Sequence, residues 1–355
     1  MEWPALEQRV IGVITGGESF ETVLGAVVRY QARHVPGLAR FWARRGFDPD
    51  GPFDAASIPA VPTETFRRAR LVSGESEPVA VFRTSGTTSG RRGEHVRLSL
   101  AAYDASAWRH ACRMLPLREE RPVILPLVFD PGAAGDSSLT HMVTRFRERL
   151  APPRAPWALG PEGVRPEALR EGLGLARRCG RPVLLLATTF ALADALESGF
   201  LERLPPGSRI VSTGGFKGRR RVVDAAVLRE ALVEVTGVSA VRQHVEYGMT
   251  EWSSQLWSSE AVDASFTPQS RGLQAPGWAR VSVVDPETLE PCGEGEEGLV
   301  RMVDLANVET VVAVQTSDRG YLRDGRLFLC GRREGAMPRG CSLAVEELER
   351  PAGES

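Results

Sequence analysis

The sequence predicts an α/β fold that is followed by a β-rich region. Continuous apolar runs at Val123–Leu125 and Val183–Leu186 suit strands that are buried on both faces of a sheet. Helical patterns occupy the chain between and after these runs, at 139–150, 166–179 and 190–203. Because strands that alternate with helices build a sheet layered with helices, we expect an α/β region up to about residue 265.

Other segments extend this α/β pattern. Apolar residues from Phe20 to Val28 recur at helical spacing, so residues 19–45 are expected to be mostly helical. Val79–Phe82 is a short apolar run that predicts a strand just before a loop of Ser, Thr and Gly residues. By the same criteria we expect a strand at Ile210–Val211 and helices near 101–114 and 221–236.

Strand-like segments dominate after about residue 270, and turns such as Asp324-Gly325 separate them. This pattern predicts an antiparallel or barrel-like region over 270–330. Residues 1–330 are therefore expected to form one core, and 331–355 a short C-terminal segment with room for a helix at Leu343–Arg350. The strands expected in the β-rich region are Ala279–Val284, Gly298–Val303, Val308–Val314 and Arg326–Leu329.

Composition favours a globular protein that binds neither nucleic acid nor a membrane. The 355 residues are 42% hydrophobic and 25% charged, and the formal net charge of -1 argues against a polyanionic partner. The five cysteines include no C-x-x-C pair, so neither a disulfide framework nor a zinc site is expected. No apolar run reaches the roughly 20 residues of a membrane helix, and the acidic N-terminus does not resemble a signal peptide. The expected location is cytoplasmic.

The first candidate site is the loop Thr84–Gly93, which lies between the strand-like run and the helix expected near 101–114. Its small residues let the backbone approach an anion, and successive N–H groups can point at phosphate oxygens. Hydroxyl groups add donors, and Arg91 and Arg92 supply positive charge. The loop lacks the G-x-x-x-x-G-K-[ST] pattern of Walker-type sites. A phosphate-binding loop and a plain polar turn are both compatible with this composition.

Two further segments in the second half of the α/β region are candidate ligand-binding sites. Ser212–Lys217 follows a predicted strand, and α/β sheets bind ligands at such carboxyl ends of strands. Glu246–Glu251 combines an aromatic ring that can stack on a base, a hydroxyl for a phosphate and a carboxylate for Mg²⁺. A tight turn explains the first string equally well, and a helix start with Tyr247 packed in the core explains the second.

The C-terminal third holds three more candidates. Asp318 lies in Thr316–Tyr321, where a carboxylate on a turn can accept both hydroxyls of a ribose, and Arg332 can contact a phosphate or ribose oxygen. A β-hairpin with solvated charges explains the same residues. Cys341 stands beside an Arg and before the possible terminal helix, a setting that favours the reactive thiolate. A small buried cysteine is the alternative.

Taken in order, these strings resemble the adenylate-forming (ANL) superfamily of acyl-CoA synthetases, peptide-synthetase adenylation domains and luciferases. Thr84–Gly93 is similar to its phosphate loop [ST]-S-G-[ST]-T-G, and Tyr247–Glu251 matches its Y-G-x-T-E motif completely. Gly293–Leu299 is similar to its G-E-x-G-E-L string, and Asp318 and Gly331-Arg332 look like its ribose aspartate and later G-R motif. The resemblance implies the α/β fold of the superfamily's N-terminal domain, with the C-terminal domain reduced or absent.

Within the superfamily the chain looks closest to the acyl-protein synthetases of the LuxE family and to related LuxE/PaaK-type proteins. The resemblance spans about residues 19–350 and includes Ile58–Pro62, Ser137–Met142 and Arg339–Leu343. It implies an ATP-dependent ligase that activates a fatty or aryl acid to acyl-AMP and transfers the acyl group to a thiol. In that family a cysteine near the C-terminus carries the acyl group as a thioester, and Cys341 resembles it.

The resemblance also implies roles for individual residues, with ATP and Mg²⁺ as cofactors. Glu251 is expected to bind the metal, Thr250 to donate to the α-phosphate and Arg332 to contact a phosphate or the ribose, while Cys341 takes the acyl group. The acyl pocket is expected near residues 126–142 and Trp252. The expected nucleotide contacts are Thr84, Ser85, Gly86, Thr87, Thr88, Ser89, Gly90, Gly214, Gly215, Tyr247, Gly248 and Asp318.

The chain departs from the superfamily pattern at two points. Larger members use a late Lys, but the only Lys here is Lys217, and the loop has an additional Ser89 and Arg91-Arg92 where relatives have P-K. Two alternatives stay open beside acylation of Cys341. The acyl group can pass to an external thiol of coenzyme A or a carrier protein, or the chain can be a nucleotide-binding subunit without turnover. The expected partners are a small carboxylic acid and an acyl donor or acceptor protein.

Overall fold

The structure is a computed structural model that describes residues 2–85, 91–151, 153–214, 224–258 and 272–332. In these ranges the helices are α1 (Trp3–Thr15), α2 (Phe20–His34), α3 (Leu38–Ala43), α4 (Ala101–Met114), α5 (Leu117–Glu120), α6 (Ser138–Arg149), α7 (Pro166–Arg178), α8 (Thr189–Glu197) and α9 (Ala225–Thr236). The strands there are β1 (Val61–Pro62), β2 (Ala80–Arg83), β3 (Glu94–Arg97), β4 (Val123–Leu127), β5 (Leu159–Gly160), β6 (Gly163–Val164), β7 (Val183–Thr188), β8 (Arg209–Thr213), β9 (Gln243–Tyr247), β10 (Leu256–Ser258), β11 (Leu273–Gln274), β12 (Ala279–Val284), β13 (Gly298–Asp304), β14 (Ala313–Arg323) and β15 (Arg326–Arg332). The alternation of helices and strands confirms the predicted α/β class.

The chain divides into two compact units that alternate along the sequence. The first unit contains the residues up to Arg109, the short segment Met249–Gln255 and the residues from Gln274 onward. The second unit contains His110–Gly248 and Leu256–Leu273. The chain therefore enters the first unit three times.

A mostly parallel sheet organises the second unit. Its strands follow the order β10-β9-β8-β7-β4, and all neighbours run parallel except β10, which pairs antiparallel with β9. Strand β4 is buried at every position and β7 at all but its last, as expected for strands that are covered on both faces. Helices α7, α8 and α9 contribute Leu169, Leu192 and Leu228 to the core that covers this sheet. The strands expected from the apolar runs are thus confirmed.

Two glycines of α7 provide a matched test of how tightly this helix packs. A Cβ at Gly172 would lie 2.5 Å from Leu125 Cδ1 and 3.0 Å from Ala155 Cβ, whereas a Cβ at Gly174 would meet the flexible end of Arg178 at 3.3 Å. We expect Gly172→Ala to lower the free energy of unfolding by about 1–3 kcal/mol through overpacking. We expect Gly174→Ala to raise it by about 0.5–1 kcal/mol, because Ala is the better helix former. Urea denaturation measures both changes, and equal effects of the two substitutions would contradict this packing.

An antiparallel sheet and a separate hairpin organise the first unit. The sheet has the order β12-β13-β14-β15, and β1 pairs in parallel with β14. Strands β2 and β3 form a two-stranded hairpin of their own. Helices α1 and α2 bury one apolar face each, through residues such as Leu6, Val10, Val23 and Val27. The β-rich region expected after about residue 270 is confirmed.

The strand expected at Val308–Val314 is wrong for most of its length, because β14 begins only at Ala313. The fully buried side chain of Gln31 donates to two backbone carbonyls at the start of this segment, at 2.9 and 3.1 Å, and accepts from the Val312 N–H at 2.8 Å. These bonds satisfy backbone groups that a strand would otherwise pair with a neighbouring strand. The apolar valines are buried here in a turn instead.

Other differences from the sequence prediction concern element ends and several additional elements. Helix α8 ends at Glu197 and not near residue 203, because Gly199 takes a φ of 68° and stops the helix. The elements that the sequence prediction lacks are helices α1 and α5 and strands β1, β3, β5, β6, β9, β10 and β11. The helix expected at Leu343–Arg350 lies outside the described residues. Among the residues that the structure describes, no helix combines the length and apolar character needed to cross a bilayer.

Candidate active site

The loop Thr84–Gly93 connects β2 to β3, so it is a hairpin connection and not a strand-to-helix turn. Its two end residues close the neck of the loop. The Thr84 N–H donates to the Gly93 carbonyl and the Gly93 N–H donates to Thr84 Oγ1, each at 2.9 Å. Arg92 Nε donates to the Thr84 carbonyl at 2.6 Å and braces the same neck. Ser85 is described, whereas the predicted contacts Gly86, Thr87, Thr88, Ser89 and Gly90 lie outside the described residues.

Side chains of the first unit hold the backbone of Thr250 and Glu251. His95 Nδ1 lies 2.7 Å from the Thr250 carbonyl oxygen, and Asn307 Nδ2 donates to the Glu251 carbonyl at 2.9 Å. Glu251 is buried, and Thr250 is half-buried. The peptide groups that carry the Thr250 hydroxyl and the Glu251 carboxylate are therefore fixed in orientation. Trp252, expected near the acyl pocket, is fully buried.

Asp304 anchors the residues that follow. Its carboxylate accepts from the N–H groups of Ser253 and Ser254 at 3.1 and 2.8 Å, and from the Ser254 hydroxyl at 2.7 Å. The Ala306 N–H adds a fourth bond at 3.0 Å. Burial raises the pKa of the Asp304 carboxyl, and the four hydrogen bonds act in the opposite direction. The segment after Glu251 is thus held against the last residue of β13.

The side chains that hold residues 250–254 form a polar cluster, which also contains a buried ion pair. Arg97 Nε lies 2.9 Å from Glu309 Oε1, and both side chains are fully buried. Arg97 also donates through Nη1 to Ser253 Oγ at 2.6 Å and through Nη2 to the Ala306 carbonyl at 3.2 Å. Burial raises the pKa of the Glu309 carboxyl, and the Arg97 guanidinium opposes that rise.

No sequence motif identifies the members of this polar cluster outside Tyr247–Glu251. One signal was available. Polar residues interrupt the otherwise apolar stretch 299–314, and buried polar groups need partners. The missed residues are His95, Arg97, Ser253, Ser254, Asp304, Asn307, Glu309 and Thr310.

The structure brings Asp318 and Arg332 together. They are opposite each other in the β14–β15 pair, and Arg332 Nε lies 3.7 Å from Asp318 Oδ1. The Asp318 side chain is 13% exposed and that of Arg332 52%, so a sheltered carboxylate stands beside an accessible guanidinium. The Asp318 N–H donates to Thr316 Oγ1 at 3.0 Å and fixes the local backbone.

A short 3-10 helix, Thr63–Arg67, links the loop neck to this pair. Its Glu64 accepts a hydrogen bond from Ser317 Oγ at 3.1 Å, one residue before Asp318. At its other end, Arg67 Cγ would be 3.5 Å from a Cβ placed on Gly93. The loop neck and the Asp318 region therefore flank the same helical turn of the first unit.

The two candidate strings of the second unit emerge side by side. Strands β8 and β9 are parallel, with Thr213 opposite Glu246, and the Thr213 hydroxyl donates to the Glu246 carboxyl. Gly214 follows directly with a φ of 68° and accepts from Thr189 Oγ1 at 2.5 Å. Tyr247 is buried at the end of β9, and Gly248 next to it is half-buried. Gly215 and Lys217 lie outside the described residues, as does Cys341.

The buried carboxyl of Glu246 is expected to make the free energy of unfolding depend on pH. Burial raises the pKa of its carboxyl from 4.5 to about 7, against the lowering effect of the Thr213 hydroxyl. A carboxyl whose pKa is raised on folding destabilises the fold as pH increases from the unfolded to the folded pKa. We therefore expect wild type to lose about 3 kcal/mol between pH 4.5 and pH 7 through this group. Urea denaturation should show that the free energy of unfolding falls more between pH 5 and pH 8 in wild type than in Glu246→Gln. Equal falls in the two proteins would contradict a buried, neutral Glu246 carboxyl.

Comparisons with known proteins bear on the fold. No protein-family model matches the chain, and no curated protein matches it. Solved structures do match. One is ATP-bound MatB from Rhodopseudomonas palustris, at 18% identity and a TM-score of 0.51 over 73% of this chain and 49% of that one. The chain spans about half the length of the first solved structures it matches.

Two further matches have bound adenylates. An open conformation of 2-hydroxyisobutyryl-CoA ligase, in complex with 2-HIB-AMP and CoA, is similar at 17% identity and a TM-score of 0.62 over 89% of this chain and 75% of that one. McyG A-PCP complexed with phenylalanyl-adenylate is similar at 17% identity and a TM-score of 0.50, over 73% of this chain and 48% of that one. The chain thus has the α/β fold of the N-terminal domain of adenylate-forming enzymes.

Proposed function

We propose that this protein activates a carboxylic acid with ATP, forms an acyl-adenylate and passes the acyl group to a thiol. The observation that carries the proposal is the anchoring of Thr250 and Glu251 by buried side chains, on a fold shared with adenylate-forming enzymes. A hydroxyl and a carboxylate held in this way suit a reaction in which the protein mainly positions groups and neutralises charge. The motifs that resemble the LuxE family support the same reaction.

In the proposed reaction a carboxylate oxygen of the acid attacks the α-phosphorus of ATP. The bond from that phosphorus to the bridging oxygen breaks, and pyrophosphate leaves. Thr250 donates to the α-phosphate, Tyr247 stacks beside the adenine and Asp318 accepts from the ribose hydroxyls, while Arg332 orients Asp318 or contacts a phosphate. The loop Thr84–Gly93 surrounds the outer phosphates with N–H and hydroxyl donors.

Glu251 fits one kind of magnesium site. The described residues contain no group of three His, Cys, Asp or Glu side chains that could hold a metal. An ion bound by Glu251 would therefore take most of its ligands from phosphate oxygens and water, as Mg²⁺ commonly does in nucleotide sites. Bound Mg²⁺ neutralises charge on the phosphates and on the departing pyrophosphate.

The proposed acyl acceptor is the thiol of Cys341 in the short segment 331–355, and this role rests on the resemblance to the LuxE family. The thiolate attacks the carbonyl carbon of the acyl-adenylate, a thioester forms and AMP leaves. An external thiol, that of coenzyme A or a carrier protein, is a second candidate. The similarity to 2-hydroxyisobutyryl-CoA ligase in complex with CoA favours that candidate.

Pyrophosphate exchange, screened over fatty, aryl and amino acids, tests the proposal. We expect acid-dependent exchange with at least one class and a covalent acyl adduct by intact mass, which Cys341→Ala loses. An active Cys341→Ala protein that acylates coenzyme A would instead identify an external acceptor. ATP binding without acid-dependent exchange for any acid would reject the proposal in favour of a nucleotide-binding subunit.

A further inference from the structure

We infer that His95 and Asn307 position Thr250 and Glu251 for acid activation, a role that rests on the proposed function. Both side chains are buried in the first unit, and each contacts a backbone carbonyl of the segment. Neither residue belongs to the motifs that predicted the site. They are positioning residues, because they act on the substrates only through Thr250 and Glu251.

The contacts of His95 select one tautomer. A carbonyl oxygen only accepts hydrogen bonds, so the Nδ1 that faces the Thr250 carbonyl carries the proton. Nε2 then accepts from Arg97 Nη1 at 3.2 Å and from Thr310 Oγ1 at 3.0 Å. A second proton on Nε2 would point at a guanidinium, which cannot accept it. The ring is therefore neutral, and burial together with Arg97 lowers the pKa of His95 to about 3.

Asn307 uses every polar atom of its side chain. Nδ2 donates to the Glu251 carbonyl at 2.9 Å and to the Val311 carbonyl at 3.1 Å, and Oδ1 accepts from Ser253 Oγ at 2.6 Å. A flipped amide would turn its oxygen toward two carbonyl oxygens, so the contacts determine one orientation. The amide thereby holds the Glu251 peptide group at a fixed angle.

Strand β3 links these contacts to the Thr84–Gly93 loop. His95 follows Gly93 at the loop neck by two positions, and Arg97 on the same strand donates to Ser253. One strand therefore supports both the loop proposed to hold the outer phosphates and the segment proposed to hold the α-phosphate and the metal. A displacement of Thr250 relative to β3 would change the distance between the Thr84–Gly93 loop and the Thr250 hydroxyl, which are proposed to bind the same nucleotide.

Loss of the His95 contact is expected to reduce kcat by about tenfold to a hundredfold, since small displacements of reacting groups have effects of this size. KM for ATP should change much less, because contacts elsewhere on the nucleotide remain and the lost alignment matters mainly in the transition state.

Three substitutions around one ring test the inference. His95→Leu keeps the volume and removes both nitrogen contacts. His95→Asn keeps an N–H near the position of Nδ1, and Thr310→Val removes one partner of Nε2 while the Thr250 contact stays. We expect H95L to lose about tenfold to a hundredfold in kcat and the other two variants to stay within about threefold of wild type. The pH profile of H95L should keep the wild-type shape, because a neutral His95 does not titrate near pH 6–7.

Hydrogen exchange supplies a readout that needs no activity. The backbone amides of 249–254 should exchange faster in H95L than in T310V. If H95L does not fold, the Asn307→Asp variant is measured in its place. This substitution puts an oxygen acceptor against the Glu251 carbonyl. Compared with H95N, it should show the same loss of kcat and the same loss of protection from hydrogen exchange.

Equal kcat and equal protection from hydrogen exchange in H95L and T310V would overturn the positioning role. So would a step in the wild-type pH–rate profile near pH 6–7 that disappears in H95L. A wild-type protein without acid-dependent exchange would overturn the proposed function and the positioning role together. An active wild type with an equally active H95L overturns the positioning role alone.

Discussion

Replacing Glu251 with Gln is expected to slow acid-dependent pyrophosphate exchange by about a hundredfold to a thousandfold. The substitution keeps the shape of the side chain and removes its charge. The bond from Asn307 is unaffected, because it reaches the backbone carbonyl of Glu251 and not the carboxylate. Under the proposed function, the loss measures the charge that the Glu251 carboxylate contributes toward Mg²⁺ and the phosphates. The free energy of unfolding is expected to change by only about 1 kcal/mol.

Glu296→Gln is the matched control for this substitution. Glu296 lies on an exposed turn of the same unit, where its carboxylate accepts from the Gly293 N–H. Exchange rates of both variants are measured over a titration of Mg²⁺. The Glu251 variant should require more Mg²⁺ for half-maximal rate, and the Glu296 variant should not. A wild-type rate with an unchanged magnesium requirement would remove Glu251 from the site.

Arg97→Met is expected to lower the free energy of unfolding by about 3–5 kcal/mol, because it leaves the fully buried Glu309 carboxylate without its partner. The double substitution Arg97→Met with Glu309→Leu should recover to within about 1–2 kcal/mol of wild type, since it removes both charges. Without the guanidinium, the folded pKa of Glu309 rises further above its unfolded value. The single variant should therefore be less destabilised at pH 5 than at pH 8.

A double-mutant cycle by urea denaturation checks these values. Arg97→Met, Glu309→Leu and the double variant are measured at both pH values. If the double variant loses as much free energy of unfolding as the two single variants together, Arg97 and Glu309 are not coupled, contrary to what their geometry indicates. Thermal unfolding followed by circular dichroism provides the same comparison for any variant too unstable for urea.

The sequence predicts the buried parallel strands β4 and β7 of the second unit better than strand β3 of the first, and the physical reason lies in their side chains. Val123–Leu125 and Val183–Leu186 are continuous apolar runs, and their neighbours in the sheet are parallel strands covered by helices. Strand β3 reads Glu-His-Val-Arg, which no apolar pattern identifies as a strand. The side chains of His95 and Arg97 are nevertheless buried, because their partners come from residues 155 to 215 positions further along the chain.

The candidate site shows the same division. Composition and order of the strings identify Thr250, Glu251 and Asp318 as candidates, since a hydroxyl and carboxylates can take part directly in the proposed chemistry. The side chains that hold Thr250 and Glu251 carry none of it, and nothing local in the sequence distinguishes Asn307 from a surface asparagine. The pairing of Asp318 with Arg332 depends on the β14–β15 register, which includes a bulge between Arg319 and Gly320.

The alternation of the two units along the chain has a consequence for synthesis on the ribosome. Strands β4, β7, β8 and β9 all lie within the continuous stretch His110–Gly248, so the nascent chain can complete this parallel sheet early. Glu309 is synthesised long after Arg97, and at roughly 5–20 residues per second the interval between the two residues is roughly 10–40 s. Throughout that interval the N-terminal hairpin lacks the carboxylate that pairs with the Arg97 guanidinium in the native state, so this ion pair can form only late in synthesis.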